Sequence, residues 1–202
     1  MFALIEAAGW PIWPLLLASV IALAIIGERA WSLRRSIVVP KPLLGQVVQE
    51  YRQNGANPQL LGRLANGSPL AQVFAAGLKH VKSTTQVMKE AIDETGREVA
   101  HDLERFLTTL GTIASISPLL GLLGTVIGMI EIFGSQTPSG GNPIVLAHGI
   151  SIALYNTAMG LIVAIPSMIF YRYYRGKVDT LIVEMESQAV KLVEILHGER
   201  QN

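Results

Sequence analysis

Charge is laid out along this chain in blocks, and the blocks leave little but a membrane protein. All 16 lysines and arginines fall between Arg29 and Arg105 or after Phe170. Three stretches lack charge for long enough to cross a bilayer, which takes roughly 20 residues. The first lies between Glu6 and Glu28 around PIWPLLLASVIALAIIG, and the second between Arg105 and Glu131. The third lies between Glu131 and Arg172, after a GGNP break. Because cytoplasmic segments collect lysine and arginine, one topology satisfies all the basic residues: N-terminus out, long loop in, short loop out, C-terminus in. Two or four spans would put basic residues on both sides. Trp10 and Trp13 fit an outer aromatic belt, and Trp31, Tyr171, Tyr173 and Tyr174 an inner one.

Composition agrees. Half of the 202 residues are hydrophobic and 15% are charged, against about a quarter charged in a soluble domain. The chain has no cysteine, which excludes disulfides, thiolate metal sites and cysteine nucleophiles. No basic segment precedes the first apolar stretch, so that stretch reads as a retained anchor.

The segment from Arg29 to Arg105 reads as helical. Its first part is punctuated by turn-rich stretches (VVPKPLL, RQNGANPQ, LANGSP) that delimit short helices. From Pro69, a stripe of Leu70, Phe74, Gly77, Val81, Met88, Ile92, Thr95, Val99, Leu103 and Phe106 marks one face of an amphipathic helix. Ser68 is the expected N-cap, with Pro69 at the first helical position. With no strong breaker in between, one long helix is expected to run from the cytoplasm into the second span. Val178, Leu181, Ile182, Met185, Ala189, Leu192 and Leu196 form a similar stripe after the third. The resulting fold is an all-α membrane protein in which spans two and three extend into a cytoplasmic helical bundle. The expected parts are an N-terminal segment with span one (1–31), a cytoplasmic helical loop (32–107), span two (108–133), a short periplasmic loop (134–142), span three (143–171) and a cytoplasmic C-terminal helix (172–202).

Spans two and three carry more than apolar bulk. Gly121, Gly124 and Gly128 share a face of span two, which also holds Ser117 and Pro118. Span three has Ala153, Thr157, Gly160 and Ala164 at helical spacing, followed by Pro166. Small residues let helices approach closely where lipid supplies no hydrophobic drive for association. Thr125 and Thr157 both fall roughly 12–14 Å below the outer boundary, counting a rise of about 1.5 Å per residue from Phe133 and His148. Two hydroxyls at one depth can line a polar path, or each can bond the carbonyl four residues back.

No Asp, Glu, Lys or Arg lies within the three apolar cores; Glu131 and His148 mark outer ends. Proton and ion carriers normally place an ionisable group inside, so a conducting version of this chain needs a carboxylate from a partner helix. Enzyme chemistry finds little support. His80, His101, His148 and His197 are scattered, with no metal-ligand spacing, phosphate loop or nucleophile elbow. The basic residues form no nucleic-acid-binding cluster.

Two motifs carry a family resemblance. SPLLGLLGTVIGMIEIF (117–133) and GISIALYNTAMGLIVAIPSMIFYRYYR (149–175) resemble the second- and third-span signatures of the MotA/TolQ/ExbB proton-channel family, nearest its ExbB/TolQ branch. The resemblance implies a homopentamer in the bacterial inner membrane around the single spans of an ExbD/TolR-like partner. That partner supplies an intramembrane aspartate. Proton motive force becomes work delivered through a TonB-like protein, or through TolA in the Tol-Pal envelope system. No cofactor and no metal are implied. The family's paired threonines map onto Thr125 and Thr157. Ser117, Pro118, Gly121, Gly124, Gly128, Asn156, Gly160 and Pro166 are read as pore or helix-packing residues. Ile152 stands where a glutamate is common, and Asn156 where a small apolar residue is common. MotA-type chains, with four spans and a larger cytoplasmic domain, fit less well. A scaffold whose small-residue helices only oligomerise is the competing class.

Overall fold

The computed structural model describes residues 9–134 and 143–198. Within them every regular element is a helix: α1 (Ile12–Ser32), α2 (Arg35–Val38), α3 (Leu43–Asn54), α4 (Pro58–Ala65), α5 (Pro69–Lys79), α6 (Thr85–Glu104), α7 (Leu107–Gly134) and α8 (Pro143–Leu196). The all-α class expected from sequence is the class observed, and three helical stretches are long and apolar enough to cross a membrane. The chain forms two compact units: Met1–Glu28 with Phe106–Tyr173, and Arg29–Arg105 with Tyr174–Asn202. The short loop expected at 134–142 lies outside the described residues, apart from Gly134, which ends α7.

In the second unit the caps are written in the sequence. Asn57 accepts from Leu60 N at 2.7 Å with Pro58 opening α4. Ser68 accepts from Ala71 N at 3.3 Å with Pro69 opening α5. Both side chains satisfy an amide that has no partner in its own helix. Helix α3 stops at Gly55, whose φ of 66° costs a glycine little. The core gathers Val38, Val47, Leu60, Leu70, Phe74, Leu78 and Met88 with Val178, Met185 and Leu192, all nearly inaccessible. The stripe expected on the chain's tail is thus largely buried: Val178, Leu181, Met185, Ala189 and Leu192 are inside.

The single long helix expected from Pro69 into the second span is not formed. It is cut twice. At 80–84 the chain turns, with Ser83 N donating to His80 O at 2.9 Å, and Thr84 begins a new helix by accepting from Val87 N. The second cut falls after Glu104, where Arg105 is extended (φ −49°, ψ 139°) and Phe106 takes φ 64°. That left-handed conformation is uncommon for a bulky residue. An unbroken helix would satisfy the Leu103 carbonyl from the amide of residue 107. Here the guanidinium of Arg29, itself only 4% exposed, donates to Leu103 O at 3.1 Å instead. The stripe residues Leu70, Phe74, Met88, Ile92, Val99 and Leu103 are buried as expected, whereas Phe106 is exposed. Exposed ion pairs join Arg35 to Glu184, Arg63 to Glu50 and Arg175 to Glu104. The Arg35 guanidinium is raised above its ordinary range by its hydrogen bond to, and attraction for, Glu184.

The first unit contains α7 and the first part of α8. Their large apolar side chains mostly point away from each other: Leu119, Leu122, Val126, Ile130, Leu154, Ile162, Ile165 and Ile169 are exposed on the single chain. The buried residues of α7 are Leu107, Leu110, Ala114, Ser117, Gly121 and Gly124. Their alternating three- and four-residue steps describe one straight seam.

Candidate functional site

The seam brings most of the residues singled out in the sequence into one contact. Gly121 sits against the backbone of α8, where a methyl group on its Cα would stand 2.7 Å from Asn156 O and 3.0 Å from Thr157 Cα. Gly160 is the reciprocal gap. A methyl there would stand 2.5 Å from Ser117 O and 3.1 Å from Gly121 Cα. These neighbours are main-chain atoms, which cannot swing aside, so only glycine permits this approach. Gly124 makes room for the Asn156 side chain, and Gly128 faces Ala153. Asn156 is 2% exposed and Ser117 1%. The Ser117 hydroxyl has no hydrogen-bond partner among the described residues.

Thr125 lies one residue past Gly124 and Thr157 one past Asn156, so the close approach carries both to the same point. Their hydroxyl oxygens are 3.3 Å apart. Thr125 Oγ1 is also 2.6 Å from Leu122 O and 3.5 Å from Gly121 O. A hydroxyl has one proton to give. Thr125 gives its proton to the nearer carbonyl and accepts from Thr157. The lone pairs of the Thr157 oxygen then face any further donor. Thr125 thus bonds back to its own helix, chiefly to the carbonyl three residues before it, and also meets Thr157. Ser115, Ser151 and Ser167, by contrast, show only the back-bond among the described residues, to Gly111, Ala147 and Val163.

The two prolines stand apart from this contact. Pro118 is half-buried within α7 and Pro166 is exposed within α8. Each removes one main-chain donor from its helix. A contact the sequence did not signal is Tyr171 against Gly111, where a methyl would come within 3.1 Å of the ring. The sequence placed Tyr171 in the inner aromatic belt, and nothing in either motif pairs it with Gly111. Glu131, read as an interfacial residue, lies on the glycine face of α7, three residues beyond Gly128. Among the described residues, no three His, Cys, Asp or Glu side chains come together as a metal would require.

A model of the MotA/TolQ/ExbB proton channel family matches residues 65–187. Over 168 residues the chain is 33% identical to the biopolymer transport protein ExbB-like 3 of Synechocystis, covering 81% of this chain and 79% of that one. It is 33% identical over 170 residues to the biopolymer transport protein exbB1 of Vibrio cholerae, covering 81% and 74%. It is also 32% identical over 163 residues to the Tol-Pal system protein TolQ of Pseudomonas aeruginosa, covering 73% and 66%.

Proposed function

Since the chain belongs to the MotA/TolQ/ExbB proton channel family, we propose that it is the membrane-embedded proton-channel subunit of an ExbB-type motor. The observation that carries this reading is the Thr125–Thr157 hydroxyl pair, 3.3 Å apart across a glycine-only helix contact. Such a pair offers a proton a polar foothold in an otherwise apolar place but cannot itself hold a charge. A single-span ExbD/TolR-like partner supplies the carboxylate. The chain is a transport subunit and not an enzyme. It lies in the inner membrane with its N-terminus periplasmic and its C-terminus cytoplasmic, a topology supported by the distribution of lysine and arginine. A homo-oligomer, with a pentamer as the expected form, is the arrangement that goes with this reading. The work is delivered through a TonB-like protein. The TolQ relative supports a second reading, in which the same motor drives an envelope-constricting Tol-Pal system.

Proton uptake into potential-clamped liposomes tests this. The chain alone, the chain with its partner, and the chain with the partner's membrane aspartate changed to asparagine are compared. Flux should require both the partner and its aspartate, and Thr157→Val should lower it. Absence of flux from demonstrably assembled complexes, with Thr157→Val harmless to energy transduction, would leave the scaffold reading in its place.

A further inference from the structure

Beyond the threonine pair, the α7–α8 contact opens into a cavity of about 150 Å³. Gly124, Gly128 and Glu131 of α7 line one wall and Gly149, Ile152 and Asn156 of α8 the other, with the 9–11 turn of the N-terminal segment on a third side. The cavity exists because the residues facing each other are small. Glu131 is the sole Asp, Glu, Lys or Arg between Arg105 and Arg172, and among the described residues it is the one ionisable side chain lining this space. His148, exposed next to Gly149, is the other titratable group at this end of α8. Glu131 is six residues from Thr125, a rise of about 9 Å. A liquid water claims about 30 Å³, so the cavity has room for a short water chain from Glu131 towards Gly124 and Asn156, the chain neighbours of Thr125 and Thr157. Asn156, 2% exposed, gives the wall a polar face between the carboxylate and the threonines.

Helix stability does not account for Glu131. It lies in the last turn of α7, where the macrodipole disfavours a negative charge. Among the described residues it makes no ion pair. On the single chain Glu131 is exposed, so it meets water at the end of α7 while also lining the gap between the two helices. An ionisable residue on an interhelical cavity in a membrane segment is a functional site by default.

The geometry points to Glu131 as this chain's own proton-relay carboxylate, an inference that rests on the proton-channel reading above. The carboxylate takes one proton from water at the end of α7 remote from the basic residues. As the neutral acid it passes that proton to the next water in the cavity, towards Thr157, and returns to the carboxylate. Only O–H bonds form and break, and no redox partner is involved.

The test uses the complete complex with its partner in potential-clamped liposomes. Glu131→Gln keeps the shape and hydrogen bonding of the side chain and removes its proton exchange. It should lower proton flux by about a hundredfold, the low end of what positioned acid–base groups supply, while assembly and thermal melting stay unchanged. Glu131→Asp should retain most of the flux. In the double variant Glu131→Gln with Ile152→Glu, the carboxylate moves to the opposite wall of the same cavity, and flux should recover. Wild-type flux in Glu131→Gln overturns the inference. So does an equal loss in Glu131→Gln, Glu131→Asp and the double variant, since that pattern reports packing and not proton transfer. If the wild-type complex carries no flux dependent on the partner's aspartate, the channel reading falls and this inference with it. If partner-dependent flux is present and Glu131→Gln leaves it untouched, this inference falls alone.

Discussion

Gly160→Ala adds one methyl group at the tightest point of the α7–α8 contact. It would stand 2.5 Å from Ser117 O, whereas carbon–oxygen contacts relax at about 3.3–3.6 Å, so the two backbones must part by about 0.8–1.1 Å. Thr157 is one turn away on the same helix. Its hydroxyl is 3.3 Å from that of Thr125, and a third of the separation already takes the pair past the ~3.5 Å at which a hydrogen bond ends. Overpacking of this kind costs about 1–3 kcal/mol, and a lost interhelical hydrogen bond in a membrane protein adds roughly 0.6 kcal/mol. Reversible unfolding in mixed micelles, followed by tryptophan fluorescence, should therefore show a loss of roughly 2–4 kcal/mol. Gly176→Ala is the control. It lies on the same helix with nothing within 4 Å of the added methyl, so helix propensity alone should make it stabilising by up to about 1 kcal/mol. A double-mutant cycle on Thr125→Val and Thr157→Val should give a coupling near 0.6 kcal/mol in the wild type and none in Gly160→Ala. If Gly160→Ala were as stable as Gly176→Ala, or if the threonine coupling survived it, the glycine contact would not be what brings the hydroxyls together.

Three further outcomes follow from the second unit and its junction. At Phe106, with φ 64°, Asn should be tolerated and Val should be worse than Asn by about 1 kcal/mol or more in chemical denaturation, because β-branched residues resist the left-handed region. Arg29→Met removes the donor to Leu103 O and should cost about 1.5–3 kcal/mol in the same measurement, the range for a hydrogen bond to a charged group. For Arg35, Glu184 raises the guanidinium above its ordinary value. A group raised in the folded state contributes fully below its unfolded pKa and loses the contribution only as pH climbs through the folded one. Arg35→Gln should thus shift the melting midpoint equally at neutral and mildly alkaline pH, and the small difference should vanish in high salt because the pair is exposed.

How legible each feature was depended on whether it is local. The spans could be read because burial in lipid forbids charge over a whole window, and a window is a local property. The caps at Asn57 and Ser68 could be read for the same reason: side chain and amide are three residues apart. The breaks in the expected long helix could not. Between Val81 and Met88 the stripe misses one position, so it fits a helix and an interrupted helix equally well. At Phe106 no Gly or Pro warns of the turn. What sustains it is Arg29, 74 residues away in the chain. The threonine pair was legible as depth and as family motif, but its 3.3 Å approach depends on four glycine and asparagine positions meeting across two helices. The cavity at Glu131 was hidden because it is an absence of side chains, and sequence records such an absence only as more glycine.

The energetics of the seam limit where a motor built from this chain can move. One elementary charge crossing 100 mV releases about 2.3 kcal/mol. Forcing α7 and α8 apart by the width of one methyl costs a comparable amount, about 1–3 kcal/mol at a single contact, and the seam has several such contacts at Gly121, Gly124, Gly128 and Gly160. A step that slid these helices past each other would therefore spend the energy of more than one proton and would separate the threonines as well. In a working motor the α7–α8 contact must stay closed through the cycle. Movement must then fall on surfaces where no backbone is locked against backbone, such as the faces carrying Leu122, Val126, Leu154 and Ile162, whose large apolar side chains are exposed on this chain. Side chains of that kind pack against lipid or a smooth apolar helix with shallow preferences, and sliding costs little there. The residues most sensitive to substitution should accordingly be the glycines of the seam, while apolar exchanges of similar volume on the outer faces should change rates more than stability.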